Sequence, residues 1–600
     1  MAGHSTAALL LRLFCGLGCF ALAAGLRVVE ASSAGGSAEP LHARVLRVAT
    51  TAAVGLLIAQ LVLTKPLILG AVANGTDGKV NDDPNLTWRE NEGVSELTHL
   101  CPALEQRTKA GKQGVLPMYT LAEVAKHSSV DDLWVVIDGL AYDLTTFVAR
   151  HPGGVRPLRC MAGKDCTDVF ANYHAARVYR QLLPQCLVGE VTGIEVYPHV
   201  ADFRKIRQEL LRRGLFQTDY RFYAQHACWL ATLLCGALYL SLGCASCTAH
   251  MVGAAVMGIF WQQLAGIGHD LGHSGVTHNF HKDHKIGSLL AFLMGCTIRF
   301  LTTSHDLPSW FLPLTLLIVV MLFLCVTASS LSRPNSNGRL SVCWWKSDHN
   351  THHIVCNAIE HDPNIQHMPL LAVTPQIFRR PKFWDTYHQK WVGMDDLARF
   401  LVSYQHLFFY PVMILARLNL YIQGLFFLLT RPDMIHYRNL ELGSIVGFLL
   451  WCSAVVASMP TWGEAAGWVL ISHGVAGILH VQIVLSHWAM WCYEGRAYTG
   501  KDDEWYITQL RTTMNVATHP WLDWVHLGLQ FQIEHHLYPR LPRHNLRVAR
   551  EMVLAVCKKH NIRYHEPGFF EVRAPAPHLA PSRAIPPSRP PSPRLTSTSR

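Results

Sequence analysis

Histidine supplies most of the chemistry this chain can offer, and its spacing sorts into two kinds of site. His151 opens His151-Pro152-Gly153-Gly154, just after the strand-like Ala141-Tyr142-Asp143-Leu144, and His174 follows 23 residues later. Two imidazoles from separate loops can hold an iron porphyrin from opposite faces. With both axial positions filled, such a haem passes electrons and does not bind oxygen. The glycines after His151 permit a tight turn beside the macrocycle, although the tetrapeptide alone also fits a turn with a surface histidine. The second kind of site comes in three clusters: His269-Asp270-Leu271-Gly272-His273, His349-Asn350-Thr351-His352-His353 and Gln532-Ile533-Glu534-His535-His536. Spacings of three and four residues stack side chains on one helix face. Any one cluster fits a solvated interfacial face. Together they offer seven imidazoles, more than a tetrahedral zinc site uses. That number suits two metals of intermediate softness, with iron the natural choice beside a haem donor. The zinc-protease pattern H-E-x-x-H is missing from the first cluster. The paired Glu-x-x-His motifs of carboxylate-bridged di-iron bundles are not evident either.

The segments that must position these groups are apolar. Half of the 600 residues are hydrophobic and 16% are charged, well below the ~25% charge of ordinary soluble domains. Runs at residues 227–245, 251–268, 401–430, 442–459 and 465–485 approach the about 20 residues that a helix needs to cross a membrane. The histidine clusters lie at the borders of such runs. The net charge of +10 is compatible with a cytosolic membrane face. No basic stripe interleaved with aromatics appears, so no nucleic-acid partner is expected. Seventeen cysteines without framework spacing argue against a disulfide-stapled secreted domain. Cys244-Ala245-Ser246-Cys247 reads as an incidental pair at a span end.

Four regions follow. Residues 1–116 form an N-terminal extension with hydrophobic segments at 7–26 and 48–63, fitting a targeting segment, an anchor or a gene-model extension. Residues 117–196 turn soluble, with strand-like Leu133-Trp134-Val135-Val136-Ile137, a turn at Asp138-Gly139 and a second strand from Ala141. Residues 200–572 alternate apolar runs with histidine-rich segments. Residues 573–600, rich in Pro, Ser and Arg, read as disordered.

The soluble region also carries Tyr142-Asp143-Leu144-Thr145-Thr146-Phe147, Ala162-Gly163-Lys164-Asp165, Phe170 and Tyr173. In this it resembles cytochrome b5, which implies haem b held by His151 and His174. The boxes HxxxH, HxxHH and QxxHH behind such a domain resemble a front-end desaturase, and the glutamine opening the third box is that group's mark. The resemblance covers residues 117–571. It implies a small α+β cytochrome b5-like haem domain followed by an all-α polytopic membrane desaturase domain with a histidine-box di-iron site. The expected location is the endoplasmic reticulum membrane, with haem domain and boxes cytosolic. Electrons are expected from NADH-cytochrome b5 reductase, and the substrates are O2 and a lipid. Carried over, the iron ligands are His269, His273, His349, His352, His353, His535 and His536. Gln532 is expected as a weaker or water-mediated ligand. His487 is a candidate extra ligand, the alternative being an interfacial histidine at a helix end. Asp270 and Asn350 are expected to orient ligands through hydrogen bonds or water. Val342-Cys343-Trp344-Trp345-Lys346, His361-Asp362-Pro363-Asn364-Ile365-Gln366-His367, Gln405-His406 and Gln509-Leu510-Arg511-Thr512-Thr513-Met514 look most like sphingolipid delta-8 desaturases, which act on the long-chain base of ceramide. Delta-6 and delta-5 acyl-lipid or acyl-CoA desaturases are the near alternatives.

One feature departs from that pattern: the second box begins 76 positions after the first one ends. The segment near 298–338 reads as an insert, either an unspliced or mispredicted stretch or one arm of a membrane hairpin. Readings from other classes are a non-catalytic membrane haem electron carrier or metal transporter, which predicts polar residues inside the spans, and a lipid hydroxylase. QxxHH favours the desaturase.

Overall fold

The computed structural model describes residues 116–293 and 342–572, apart from isolated positions and pairs and residues 386–389, 431–437 and 499–502. Residues 1–115, the insert at 298–338 and the tail at 573–600 lie outside the described residues.

The soluble region is a four-stranded sheet with short helices. Strand β1 is Met118–Thr120, β2 Trp134–Ile137, β3 Leu140–Asp143 and β4 Leu187–Thr192, in spatial order β1-β4-β3-β2. Asp138 and Gly139, both at positive φ (51° and 77°), join β2 to β3. This is the turn that an Asp-Gly pair favours because its twist matches the strands it connects. β2 is buried along most of its length because both of its faces are covered. Val135 and Ile137 join one apolar cluster and Val136 the other. Helices α1 (Val155–Met161) and α2 (Thr167–Tyr173) flank the loops that carry His151 and His174.

The rest is mainly helical rather than all-α, since Lys382–Asp385 and Lys390–Gly393 pair as an antiparallel two-stranded sheet. Its main helices are α3 Pro198–Arg212, α4 Tyr220–Leu242, α5 Cys247–Gly272, α6 Phe280–Leu293, α7 Val342–Ile354, α8 Gln405–Thr430, α9 Arg438–Ala457, α10 Trp462–Trp488, α11 Trp505–Thr512, α12 Gln532–Leu537 and α13 Leu546–Lys559. α4, α5 and α10 are long and apolar enough to cross a membrane. Glycines bring the helices into close contact. A Cβ on Gly258 would stand 2.6 Å from the Ser472 carbonyl oxygen, and one on Gly477 would overlap Ile414. Small residues of this kind are what close helix packing in lipid requires. Polar groups do enter the apolar helices. Arg417 of α8 is buried 4.8 Å above the Trp261 ring, with its Nε donating to the Tyr421 hydroxyl. The histidine-rich ends are nevertheless where donors gather, because the C-terminal ends of α5 and α10 meet α7 and α12 there.

Candidate metal centre and haem cleft

Each predicted haem ligand has one ring nitrogen fixed by backbone. His151 Nδ1 donates to the Gly154 carbonyl (2.8 Å) and His174 Nδ1 to the Phe170 carbonyl (3.2 Å). That leaves Nε2 of each ring for an iron ion, with ring centroids 6.2 Å apart. Two imidazoles sharing one ion through bonds of about 2 Å place their ring centres roughly 6 Å apart, so the pair fits a bis-histidine haem. Burial pushes both imidazoles down, His174 to about 3, so they are neutral and their lone pairs are available. Gly153 is required for steric reasons, since a Cβ there would lie 2.8 Å from His151 Cε1. Gly153→Ala is expected to turn the ring and cost about 1–3 kcal/mol of haem-site integrity. Titrating the apoprotein with haemin and following the Soret band checks this.

The three histidine clusters, far apart in sequence, come together at one end of the helices. They form two donor groups, each with its ligand atoms within 4.8 Å of one another. One is His269, His273, His349 and His535, and the other is His352, Cys356, His487 and His536. Four donors bound at about 2 Å to one ion lie within roughly 4 Å of each other, so a small inward movement closes either group. His269 Nε2 stands 3.2 Å from His349 Nε2, which joins the first box to the second. His353 lies between the groups. Its Nε2 is 3.2 Å from His349 Nε2, and its ring stacks on His536 at 3.9 Å. His353 Nδ1, His535 Nε2 and His536 Nε2 are buried without a hydrogen-bond partner. Such orphans are costly in a packed interior unless an ion takes them up. Burial also pushes His349, His353, His535 and His536 well below the ordinary imidazole range, the neutral state that metal ligation needs.

Several residues fix these rings that the sequence reading had not singled out for the task. His352 Nδ1 donates to the wholly buried Asp362 (2.8 Å), which also accepts from the backbone of Asn357 and Asn364. His536 Nδ1 donates to Gln509 Oε1 (2.9 Å), while Gln509 Nε2 donates to the His353 carbonyl (2.9 Å). Each bond turns an Nε2 lone pair toward the donor group, the usual role of outer partners at histidine metal sites. Asn357 Nδ2 donates to the His487 carbonyl (2.8 Å), tying the end of the second box to α10. Asp362 and Gln509 both fall in motif stretches read from the sequence, but nothing local revealed their role. Cys356 had no signal beyond lying three residues past His353.

His487 stands inside the second group. Gln532 is buried and turns its Nε2 to the Leu529 carbonyl (3.0 Å). Asp270 accepts from the Tyr223 hydroxyl (2.7 Å) and pairs with Arg543 (3.2 Å), bracing the end of α5 against α4 and the segment after the third box. Asp362→Asn is expected to weaken metal binding about 10–100-fold without loss of haem, as metal titration of the purified protein checks.

Comparison with known proteins bears on both parts. Residues 120–192 match the cytochrome b5-like haem/steroid binding domain, and residues 337–568 match the fatty acid desaturase family. The chain is 34% identical over 450 residues to an acyl-lipid (9-3)-desaturase of Borago officinalis, covering 75% of this chain and 90% of that protein. It is 32% identical over 457 residues to a delta(8)-fatty-acid desaturase of Helianthus annuus, covering 75% and 88%. The chain belongs to the cytochrome b5-fusion front-end desaturases. A delta 8-(E)-sphingolipid desaturase of Kluyveromyces lactis is 34% identical over 414 residues, 68% of this chain and 62% of that protein. This desaturase is therefore a membrane oxidoreductase of lipid metabolism with its own haem-binding domain. Of the gathered histidines, those of the second and third boxes and His487 lie within the part that matches the desaturase family.

Proposed function

We propose that this desaturase places a double bond in the long-chain base of ceramide, as a sphingolipid delta-8 desaturase, using haem b and two iron ions. Haem b is held by His151 and His174. The iron ligands are His269, His273, His349 and His535 in one group and His352, His536 and His487 in the other, with His353 between them and Gln532 behind His487. The single observation that carries this reading is the division of the boxes into two buried donor groups joined by His353. The substrate rests on the names of similar proteins, among them delta(8)-fatty-acid and delta 8-(E)-sphingolipid desaturases. The proposed units are a haem domain at 117–196 and a desaturase domain at 200–572. The proposed setting is the endoplasmic reticulum, as a multi-pass protein with haem and boxes on the cytosolic side, supplied by NADH-cytochrome b5 reductase.

When bound, the iron pair supplies the oxygen activation that breaks two unactivated C–H bonds. The balance is one methylene pair, O2, two electrons and two protons, giving one double bond and two waters. The chain's own contribution is positioning. Asp362 and Gln509 hold protons at His352 and His536 Nδ1, so that the opposite nitrogens stay unprotonated. Apolar packing around the groups keeps bulk water away.

Expression in a yeast without delta-8 desaturation, followed by profiling of long-chain bases and fatty acids, tests the proposal. A new double bond at C8 of the long-chain base is expected. A new bond only in acyl chains would move the assignment to a delta-6 or delta-5 acyl desaturase. No new bond in any lipid, with haem and iron bound, would defeat the enzyme reading in favour of an electron carrier.

A further inference from the structure

Both helices that flank the haem cleft are fastened to the part of the chain that carries the boxes. On the His151 side, Arg156 of α1 donates through Nη1 to Asp348 Oδ1 at 2.5 Å. Asp348 immediately precedes His349, and its side chain is 5% exposed. On the His174 side, Asp168 of α2 accepts from Arg204 Nε and Nη2 of α3 (2.7 and 2.8 Å) and from the Tyr506 hydroxyl of α11 (3.1 Å). Arg207 Nη2 donates to the Ala171 carbonyl (2.7 Å). Lys164, in the loop between α1 and α2, lies 5.3 Å over the ring of Tyr498, whose hydroxyl bonds the Ile354 carbonyl at the end of α7. Beneath these contacts one apolar core runs across the boundary, from Met161 and Val169 to Ile354, Val355 and Tyr506.

We propose that the Arg156–Asp348 ion pair is the positioning contact for electron delivery in this protein. It holds the haem cleft against the helix of the second box, so that the fused domain passes electrons to its own metal groups from a docked state. The inference rests on the haem and metal assignments above. Arg156 acts on electron delivery as a positioning residue, through Asp348 and the seating of α1 on α7. In each transfer one ferrous haem becomes ferric and the metal pair gains one electron. Two transfers, each preceded by re-reduction of the haem from NADH through the reductase, supply the two electrons of one desaturation. Transfer between buried centres falls steeply with separation, so lifting α1 from α7 slows this step without changing either centre. Reversing the charge of Arg156 sets two carboxylates against each other in a partly buried contact, which is repulsive.

The test uses the full chain in phosphatidylcholine vesicles carrying saturated ceramide, as wild type, Arg156→Lys and Arg156→Glu. The haem is reduced anaerobically with NADH and the reductase, oxygen is admitted, and reoxidation is followed in the Soret band. Arg156→Glu is expected to reoxidise roughly tenfold more slowly, with Arg156→Lys close to wild type. The haem spectrum and the rate of its reduction should be unchanged. Amide exchange in α1 and α7 should rise in Arg156→Glu alone. A single turnover with electrons from dithionite should remain at the wild-type level. Equal reoxidation in wild type and Arg156→Glu would overturn the proposal, as would equal slowing by lysine and glutamate. Loss of the dithionite-driven turnover would also overturn it, by showing that the pair supports the metal groups themselves. Failure of the wild-type haem to reoxidise with lipid and oxygen present would overturn the desaturase reading, and this inference with it.

Discussion

Replacing His536 with alanine is expected to remove one of the two metal ions and bring desaturation to background. His536 is wholly buried, its Nδ1 is bound to Gln509, and its Nε2 is directed into the second group with no hydrogen-bond partner. No neighbouring side chain can take over that position, because the ring also supports His353 by stacking at 3.9 Å. Loss of an outer partner at a metal site costs about 10–100-fold, so loss of a ligand should exceed the upper end of that range. Iron per chain, measured by mass spectrometry on purified protein, should fall by about one ion while the Soret band is retained. His361→Ala is the matched control, since His361 lies close to the second box in sequence but is exposed. It should keep both ions and most activity. Full iron content in His536→Ala would remove His536 from the ligand set.

His174→Ala should separate the two centres in the opposite sense. The cleft offers two imidazoles 6.2 Å apart between ring centroids, and a single axial ligand does not maintain a low-spin bis-histidine haem. The bis-histidine spectrum should disappear and NADH-driven desaturation should fall to background, while iron content stays at the wild-type level. Dithionite should still support one turnover, because the donor groups are built entirely from residues after Gly266. Retention of NADH-driven desaturation in His174→Ala would mean that electrons reach the metals without this haem.

Much of the site was readable because it is local. A histidine repeated at three and four residues marks one helix face whatever that helix packs against. The pair His151 and His174 was readable because Gly153 and the preceding strand give the loop a distinctive form. The Asp-Gly turn between β2 and β3 was equally plain, since few residue pairs tolerate two successive positive φ angles. The roles of Asp362, Gln509 and Cys356 were not readable. Each depends on a partner brought near by tertiary packing, 10 residues away for Asp362 and 27 for Gln509. A polar group also stands inside one of the apolar runs, although the histidine clusters do not. Arg417 sits inside an apolar helix because Trp261 and Tyr421 receive its charge there.

Sequence alone determined the chemistry available to this protein: a bis-histidine pair, three histidine boxes and apolar runs beside them. The boxes depend on residue type and on spacings of three and four residues, and the apolar runs on composition along one continuous stretch. Only the tertiary structure decided how the histidines divide, since His349 and His352 share one helix yet fall in different clusters. It also brought His487 in from the end of α10 and set the haem cleft against the second box. Side chains three residues apart on one helix diverge enough to meet different neighbours. Which neighbours they meet is set by how the helices cross, through contacts that no local pattern records.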